Sequence, residues 1–364
     1  MTTILDRYFL REFLKPLGAC LLAFLLCMLI YDLYDNLDDF IGAHVGLGEI
    51  IRYYAILIPA WLTDIMPITL LLSLLYVLSN MSKHGELTAM RASGLDFLRL
   101  MTPFFAVGLL MSGVMMWVSL YWAPTALQNS KVLLDRSTKK NSQIDKTKFK
   151  SVVYRDLATE RVWWFDNLDL EDEKAWGIEI TEGAGRGGYA RRISAKTAYY
   201  RDKRWTFFDV MIYDYTLPTA DPNSLRMQQS LQGDEYDAPP QYFVAAIKKP
   251  KRMTTGELLA SLRFADRLSA RQKAAFQMEL HGRLAFPLSN IVVFLIGVPF
   301  GVVGQRKSSF MAVANAMVFF FVYLAFGKAM VIMGGAGRLP PHLTAWLANL
   351  IFAAAGIWMI RKIR

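Results

Sequence analysis

Asn80–Arg99, NMSKHGELTAMRASGLDFLR, is a short polar island between two long apolar segments. Its flanks, Tyr54–Leu78 and Met101–Ala123, each supply the roughly 20 helical residues needed to cross a hydrocarbon core about 30 Å thick. The island therefore lies at a membrane surface. Within it, His84 to Arg91 contains good helix formers, Ser82 is placed to N-cap them, and Gly94 after Ser93 is placed to stop them. The pattern predicts a short helix lying across a bilayer face. A charged helix between two spans suits an element that a soluble partner can grip and move; the plainer reading is a loop helix whose charges are simply solvated.

Of the 364 residues, 54% are hydrophobic, yet 20% are charged, too many for a chain lying wholly in lipid. A membrane protein with a soluble domain fits both figures. The net charge of +10 raises nucleic acid as a partner until the basic residues are located along the chain. Cys20 and Cys27 sit seven residues apart in one apolar helix, roughly 10 Å along its axis, which is too far for a disulfide. They read as packing residues. The N-terminal apolar run lacks a small-residue cleavage site and leads into an acidic turn, so it is expected to stay as the first span.

Leu5–Lys15, LDRYFLREFLK, places apolar and charged groups at helical spacing, as in an interfacial helix feeding into the bilayer. The apolar run from Leu17 extends to about Phe40, where Asp32, Asp35, Asp38 and Asp39 make its far end acidic. The second span carries Pro59 and Pro67 with Asp64 between them, which predicts a kinked outer half that partly faces protein. Asp64 reads as a buried hydrogen-bonding group or a functional carboxylate. From Pro124 to about Gln272 no apolar run is long enough to cross, and this stretch is expected to be the soluble domain. SVVYRDL, RVWWFDN, AWGIEITE, ARRISAKTAYY and RWTFFDVMIYDY are short, rich in β-branched and aromatic residues, and separated by polar or Gly-rich turns. They predict an antiparallel sandwich or open barrel, to which Ser224–Leu231 and Gln241–Ile247 add strands. Helical periodicity returns after Thr254, and Leu284–Val303, Phe310–Val331 and Leu343–Ile360 complete six spans.

Arg7, Arg11, Lys15, Lys83, Arg91, Arg99, Arg306, Lys307, Arg361, Lys362 and Arg364 fall on one side of this layout, against Arg52 and Arg338 in the short loops opposite. The positive-inside rule then puts both termini and the island in the cytoplasm and the β domain outside. Net charge thus has a topological explanation, and no nucleic-acid partner is expected.

Tests for chemistry return little. Gly183–Gly188 matches the G-x-G-x-x-G string, but a strand-like run follows where a dinucleotide site needs a helix, so the string reads as a turn. No G-x-x-x-x-G-K-[ST] occurs, so any ATP that drives this protein is bound by another chain. His44, His84, His281 and His342 are scattered, without H-E-x-x-H, and G-x-S-x-G is absent, so neither a metal site nor a hydrolase site is expected. Charges near membrane depth are costly and often line substrate paths. Arg283 at the outer start of the fourth span and Lys328 in the outer half of the fifth could meet an anionic lipid headgroup; snorkelling or pairing with a carboxylate such as Asp64 is the alternative for each. Phe319, Phe320, Phe321, Tyr323 and Phe326 could contact acyl chains in a cavity or simply pack helices.

The whole layout resembles the LptF/LptG permease subunits of the Gram-negative lipopolysaccharide exporter. The likeness is carried by ILDRYFLREFLKP, by MPITLLLSLLYVLSNMSKHGELTAMRASG, by ISAKTAYY followed by RWTFFD, by ELHGRLAFPLSNIVVFLIGVPFG and by GRLPPHLTAWLANL, with GELTAMRASG the most specific. The resemblance implies an α-helical inner-membrane protein with three transmembrane helices in residues 1–123, a periplasmic all-β jellyroll-like domain with a helical return in 124–272, and three more transmembrane helices in 273–364. It implies a permease rather than an enzyme, paired with a second LptF/LptG-like subunit around a cavity. It further implies an LptB-like ATPase dimer that binds ATP and Mg, and LptC-like and LptA-like proteins that form a periplasmic bridge. The helix at about 83–94 would be the coupling helix, with Glu86 facing an ATPase arginine, Leu87 and Met90 giving an apolar grip, and His84, Arg91 and Gly94 completing the motif. Lipopolysaccharide contacts would come from Arg283, Phe320, Tyr323, Lys328 and the neighbourhood of Asp32. At that last place LptG-type members carry lysines that meet phosphates, whereas this chain has Asp32, Asp38 and Asp39, so bridging cations or the paired subunit would have to supply the positive charge. The N-terminus looks LptG-like and ELHGR looks LptF-like, which leaves the paralogue open. An ABC-type subunit that works a periplasmic partner without carrying lipid is the alternative function.

Overall fold

The computed structural model describes residues 4–42, 44–127, 129–130, 148–156, 159–183, 190–217, 224–240, 243, 248–263, 268–302 and 309–363. They form two units, residues 1–138 with 277–364, and residues 139–276. The first unit opens with helices α1 (Ile4–Asp35), α2 (Leu37–Gly42), α3 (Leu47–Lys83), α4 (Glu86–Ala92) and α5 (Phe97–Trp117), the last widening into a π turn at Val118–Trp122. Among the described residues the second unit holds six strands, β1 (Lys148–Asp156), β2 (Arg161–Asp169), β3 (Lys174–Glu182), β4 (Arg191–Arg201), β5 (Arg204–Asp214) and β6 (Leu225–Gln232), then helix α6 (Thr255–Arg263). Helix α7 (Ala270–Ala285) leads back through a 3-10 turn, Phe286–Leu288, to α8 (Ser289–Val302), α9 (Ser309–Gly335) and α10 (Pro341–Ile363). Six helical stretches are long and apolar enough to cross a membrane, among the described residues, which matches the six expected. The first span ends at Asp35, short of Phe40, where the Asn36 side chain donates to the Asp32 carbonyl at 2.8 Å and the short α2 follows.

The helical unit packs around α8, whose Val292, Val293, Phe294, Ile296 and Val298 are all buried. Helix α8 can approach α3 closely because Gly297 and Gly301, one turn apart, face Leu71, Leu74 and Leu78; a Cβ on either glycine would stand 2.7–2.9 Å from those side chains. Small residues one turn apart are how membrane helices gain van der Waals contact where lipid offers no hydrophobic drive. Helix α1 contributes only its first half to this core. Phe9, Phe13 and Leu17, at i, i+4 and i+8, are buried, with Phe13 ring centroids 5.7 Å from Phe104 and 5.8 Å from Phe294. Leu22, Leu26 and Ile30 farther along are exposed within the single chain.

The strands form one antiparallel meander in the order β1–β6, so the sequence's two alternatives resolve to a rolled single sheet rather than a two-sheet sandwich. Apart from end residues, the five strand-rich runs and the Ser224–Leu231 run fall on β1 to β6 within the described residues. The further strand expected at Gln241–Ile247 lies, apart from Phe243, outside the described residues. Of Gly183–Gly188, expected as a turn, only Gly183 lies within the described residues.

The sheet is rolled. Trp163 and Phe165 on β2 meet Phe207 and Trp205 on β5 at centroid distances of 6.2 and 6.0 Å. In a flat sheet those strands would be three spacings, about 14 Å, apart. A transverse row consisting of Ser151, Asp166, Gly177, Lys196, Asp209 and Gln229 is skipped by the pairing of all five strand pairs, although the register continues on both sides. Alternate members of the row, Ser151, Gly177 and Asp209, have left-handed φ of 52°, 59° and 52°. Inward residues flanking the row are three apart rather than two, as in Phe165 with Leu168 and Phe207 with Val210, all buried. The left-handed row therefore resets the side-chain phase and creases the sheet, so both halves of each strand feed one aromatic core. Phe243, fully buried, wedges among Tyr154, Trp163, Phe165 and Trp205.

Candidate functional site

The island folds into α4, seven residues held between two left-handed glycines, Gly85 at φ 73° and Gly94 at φ 88°. Ser82 does not cap it. That serine is buried in the last turn of α3, and Gly85 ends α3 instead, its N–H reaching the Ser82 carbonyl at 3.1 Å. Gly94 makes the matching stop after α4, donating to the Arg91 carbonyl at 3.0 Å. Only glycine takes such φ values without steric cost, so these two positions fix where the short helix begins and ends. His84 Nδ1 donates to the Asn80 carbonyl at 2.8 Å, closing the end of α3.

Leu87 is buried, and with the half-buried Met90 it joins the core formed with α3, α5 and α8. The apolar grip expected of Leu87 is therefore directed into the chain's own fold, and it anchors α4 there. Thr88, Ala89, Arg91 and Ala92 are exposed. The Arg91 guanidinium lies 5.9 Å from the Phe97 ring centroid, a cation–π contact at the start of α5. Glu86 is half-exposed at the first position of α4, where a carboxylate suits the helix dipole. Its Oε2 accepts a hydrogen bond from the Tyr8 hydroxyl at 2.8 Å. On the other side of the island, Arg99 Nη2 donates to Asp6 Oδ2 at 3.0 Å.

Of the five residues expected at the lipid, Tyr323 adjoins Phe320 and lines a cavity with Lys328. Arg283 is buried and paired with Glu279 Oε1 at 3.0 Å, one helical turn away. Phe320 is buried in the helical core beside Tyr323, 6.2 Å between centroids. The Tyr323 hydroxyl donates to Asn349 Oδ1 at 2.6 Å. Lys328 is exposed and lines the rim of a cavity of about 90 Å³ with Tyr323, Gly327, Ala348 and Asn349. Asp32 is half-buried beside Tyr53 and Tyr54, away from this group. A larger groove of about 970 Å³ runs along α1 and α3, with Lys15 and Lys83 at one end and Ala19 and Leu72 at the other. No group of three or more His, Cys, Asp or Glu residues poised to hold a metal occurs among the described residues.

A sequence model of the lipopolysaccharide export system permease LptF/LptG matches residues 7–362, nearly the whole chain. The chain belongs to the LptF/LptG family. Among curated relatives, the lipopolysaccharide export system permease protein LptF of Escherichia coli K12 is 22% identical over 384 residues, covering 97% of this chain and 93% of its own length. LptF of Escherichia coli O157:H7 and of Shigella flexneri match at the same 22% identity and the same coverage. This LptF/LptG permease thus carries six candidate spans with a six-stranded antiparallel sheet between the third and the fourth, and its family is one of permeases rather than enzymes. Sequence reasoning missed Tyr8, Asp6 and Asn349. Each acts through a partner 26 to 93 residues away, and only the quoted likeness of ILDRYFLREFLKP to the family pointed at the first two.

Proposed function

We propose that this permease subunit takes lipopolysaccharide from the inner membrane and passes it through its β unit to a periplasmic bridge, driven by a separate ATPase. The observation that carries the reading is α4: a seven-residue helix, pinned by Leu87, offers Glu86 and Arg91 beside small side chains at the junction of two spans. Small residues let a partner surface come close, and the Glu86 carboxylate, whose Oε2 accepts from Tyr8, can accept a partner arginine at Oε1. Helix α3 runs unbroken for 37 residues into this junction, so a push on α4 reaches the full length of a span. In this reading α4 and both termini are cytoplasmic and the sheet is periplasmic, as the distribution of Lys and Arg predicts. The partner ATPase supplies the nucleotide site and its Mg, because the sequence has no P-loop. A second LptF/LptG-like subunit closes the cavity, and LptC-like and LptA-like proteins receive the lipid. Lys328, at the rim of its cavity, is the best placed of the expected lipid contacts to meet an anionic headgroup.

The test is Glu86→Lys, purified in mild detergent from cells that supply the partner subunits. Co-purification of the ATPase is expected to fall about tenfold, with the melting temperature within about a degree of wild type, since an exposed charge change costs little folding energy. Undiminished ATPase recovery together with undiminished lipopolysaccharide export overturns the docking reading.

A further inference from the structure

We infer that Tyr8 and Asp6 are positioning residues that fasten the start of α1 to both ends of the coupling segment, so that α1 moves with α4. The inference rests on the reading of α4 as the docking helix and adds a second route out of it. Tyr8 and Asp6 lie two residues apart on α1 and therefore point to different sides of that helix. One reaches Glu86 at the beginning of α4 and the other reaches Arg99 in the first turn of α5, at 2.8 and 3.0 Å. These partners are 78 and 93 residues away in sequence, so the two contacts bracket the island from outside it.

What lies between the two contacts keeps them in place. Phe9, next to Tyr8, is 1% exposed, with its ring centroid 5.5 Å from Phe104 on α5. Phe13 continues the same face. Past Leu17 no residue of the helix is fully buried, and Met28, Leu29 and Leu33 pack half-buried against the cluster of Tyr53, Tyr54 and Leu57 on α3. Helix α1 is thus packed most deeply where it meets α4 and through half-buried side chains along the rest of its length. A displacement of α4 pulls on Tyr8 directly and so reaches α1 through a contact that does not pass through the shared core of Phe9, Phe13 and Leu17.

Glu86 has two carboxylate oxygens, and the Tyr8 hydroxyl uses Oε2. A partner arginine at Oε1 would join the ATPase, Glu86, Tyr8 and α1 in one hydrogen-bonded chain. Tyr8 is 40% exposed, and the Arg99 and Asp6 side chains are also partly exposed, so the contacts are suited to setting position rather than to holding the fold.

The experiment uses the complete transporter, with its ATPase and paired subunit, in lipid nanodiscs, and measures lipopolysaccharide released per ATP hydrolysed. Tyr8→Phe keeps the ring and removes only the hydroxyl. It is expected to leave ATPase co-purification and melting temperature at wild-type values while lipid released per ATP falls three- to tenfold. Asp6→Arg should lower the same ratio, and Asp6→Arg with Arg99→Asp should restore it at least halfway, which loss of a merely structural contact elsewhere would not do. An unchanged ratio in Tyr8→Phe, or a double reversal no better than Asp6→Arg alone, overturns the inference. Failure of the docking reading appears separately, as undiminished ATPase recovery together with undiminished export in Glu86→Lys.

Discussion

The Tyr323 hydroxyl donates to Asn349 Oδ1 at 2.6 Å, and Asn349 Nδ2 in turn donates to the Ala285 carbonyl at 2.6 Å. One buried amide therefore links α9, α10 and the end of α7 where Phe286–Leu288 interrupts the fourth span. The interruption explains the need. In a regular helix the Ala285 carbonyl would accept from the Ser289 N–H, which here turns to the Phe286 carbonyl, and a carbonyl released in an apolar surround must find another donor.

Asn349→Leu removes that donor and strands two polar groups in the helical core. Leaving a buried hydrogen-bonding group unpaired costs about 1–3 kcal/mol, so the purified protein should melt several degrees lower. Tyr323→Phe removes only one bond and should cost about 0.5–1.5 kcal/mol. Equal losses for the two variants in a detergent melt would show that Ala285 does not depend on Asn349.

A different strain sits at the crease of the β unit. Gly177 has φ 59°, and a Cβ added there would stand 2.8 Å from the Asp166 Cβ. Gly177→Val meets both obstacles, with a β-branched side chain at an unfavourable φ and no space to receive it. A loss of about 2–4 kcal/mol is expected, read as a lower midpoint for the fluorescence of Trp163 and Trp205, which are buried in this unit. Asp209→Gly, at φ 52° on the same row, should be neutral or slightly stabilising, because it relieves the left-handed conformation. A destabilising Asp209→Gly would mean that its side chain, rather than its backbone, sets the crease.

The spans and strands were legible because each is written in residues close together along the chain. An apolar run longer than about 20 residues or a short aromatic and β-branched run bounded by turns survives any tertiary context. The crease was not legible, because Ser151 and Asp209 are ordinary polar residues whose left-handed φ leaves no mark in the sequence. Ser82 misled for a related reason. It has the chemistry of an N-cap, but α3 runs through it and Gly85 carries the break. At the candidate site the motif GELTAMRASG pointed to α4, but it could not say that Leu87 turns inward or that Glu86 is held by Tyr8, since both facts depend on which helices surround the island. For Arg283 the sequence left open a lipid headgroup or a carboxylate partner, and the structure supplies Glu279, one turn earlier on the same helix.

The rolled sheet also has a pH-sensitive corner. Tyr236 is buried at 1% exposure, and Arg161 lies over its ring at 4.9 Å while pairing with Glu182 and Glu235 at 2.8 Å each. Burial first, and then the Glu182 and Glu235 carboxylates, push the Tyr236 hydroxyl above the ordinary tyrosine range, with Arg161 opposing them. A folded-state value above that of the unfolded chain, about 10, means that this stabilisation is complete below pH about 10. Above it the unfolded chain releases the proton and the native one keeps it, so stability falls by up to about 1.4 kcal/mol per pH unit until the folded-state value is passed. Tyr236→Phe removes that slope while keeping the ring that packs on Trp163 and Phe207. Melting of the intact protein, followed by tryptophan fluorescence between about pH 8 and 11, should therefore fall more steeply for wild type than for Tyr236→Phe, because the other tyrosines and lysines contribute equally to both. Parallel curves would place the Tyr236 hydroxyl in contact with solvent and break the link between this corner and the stability of the sheet.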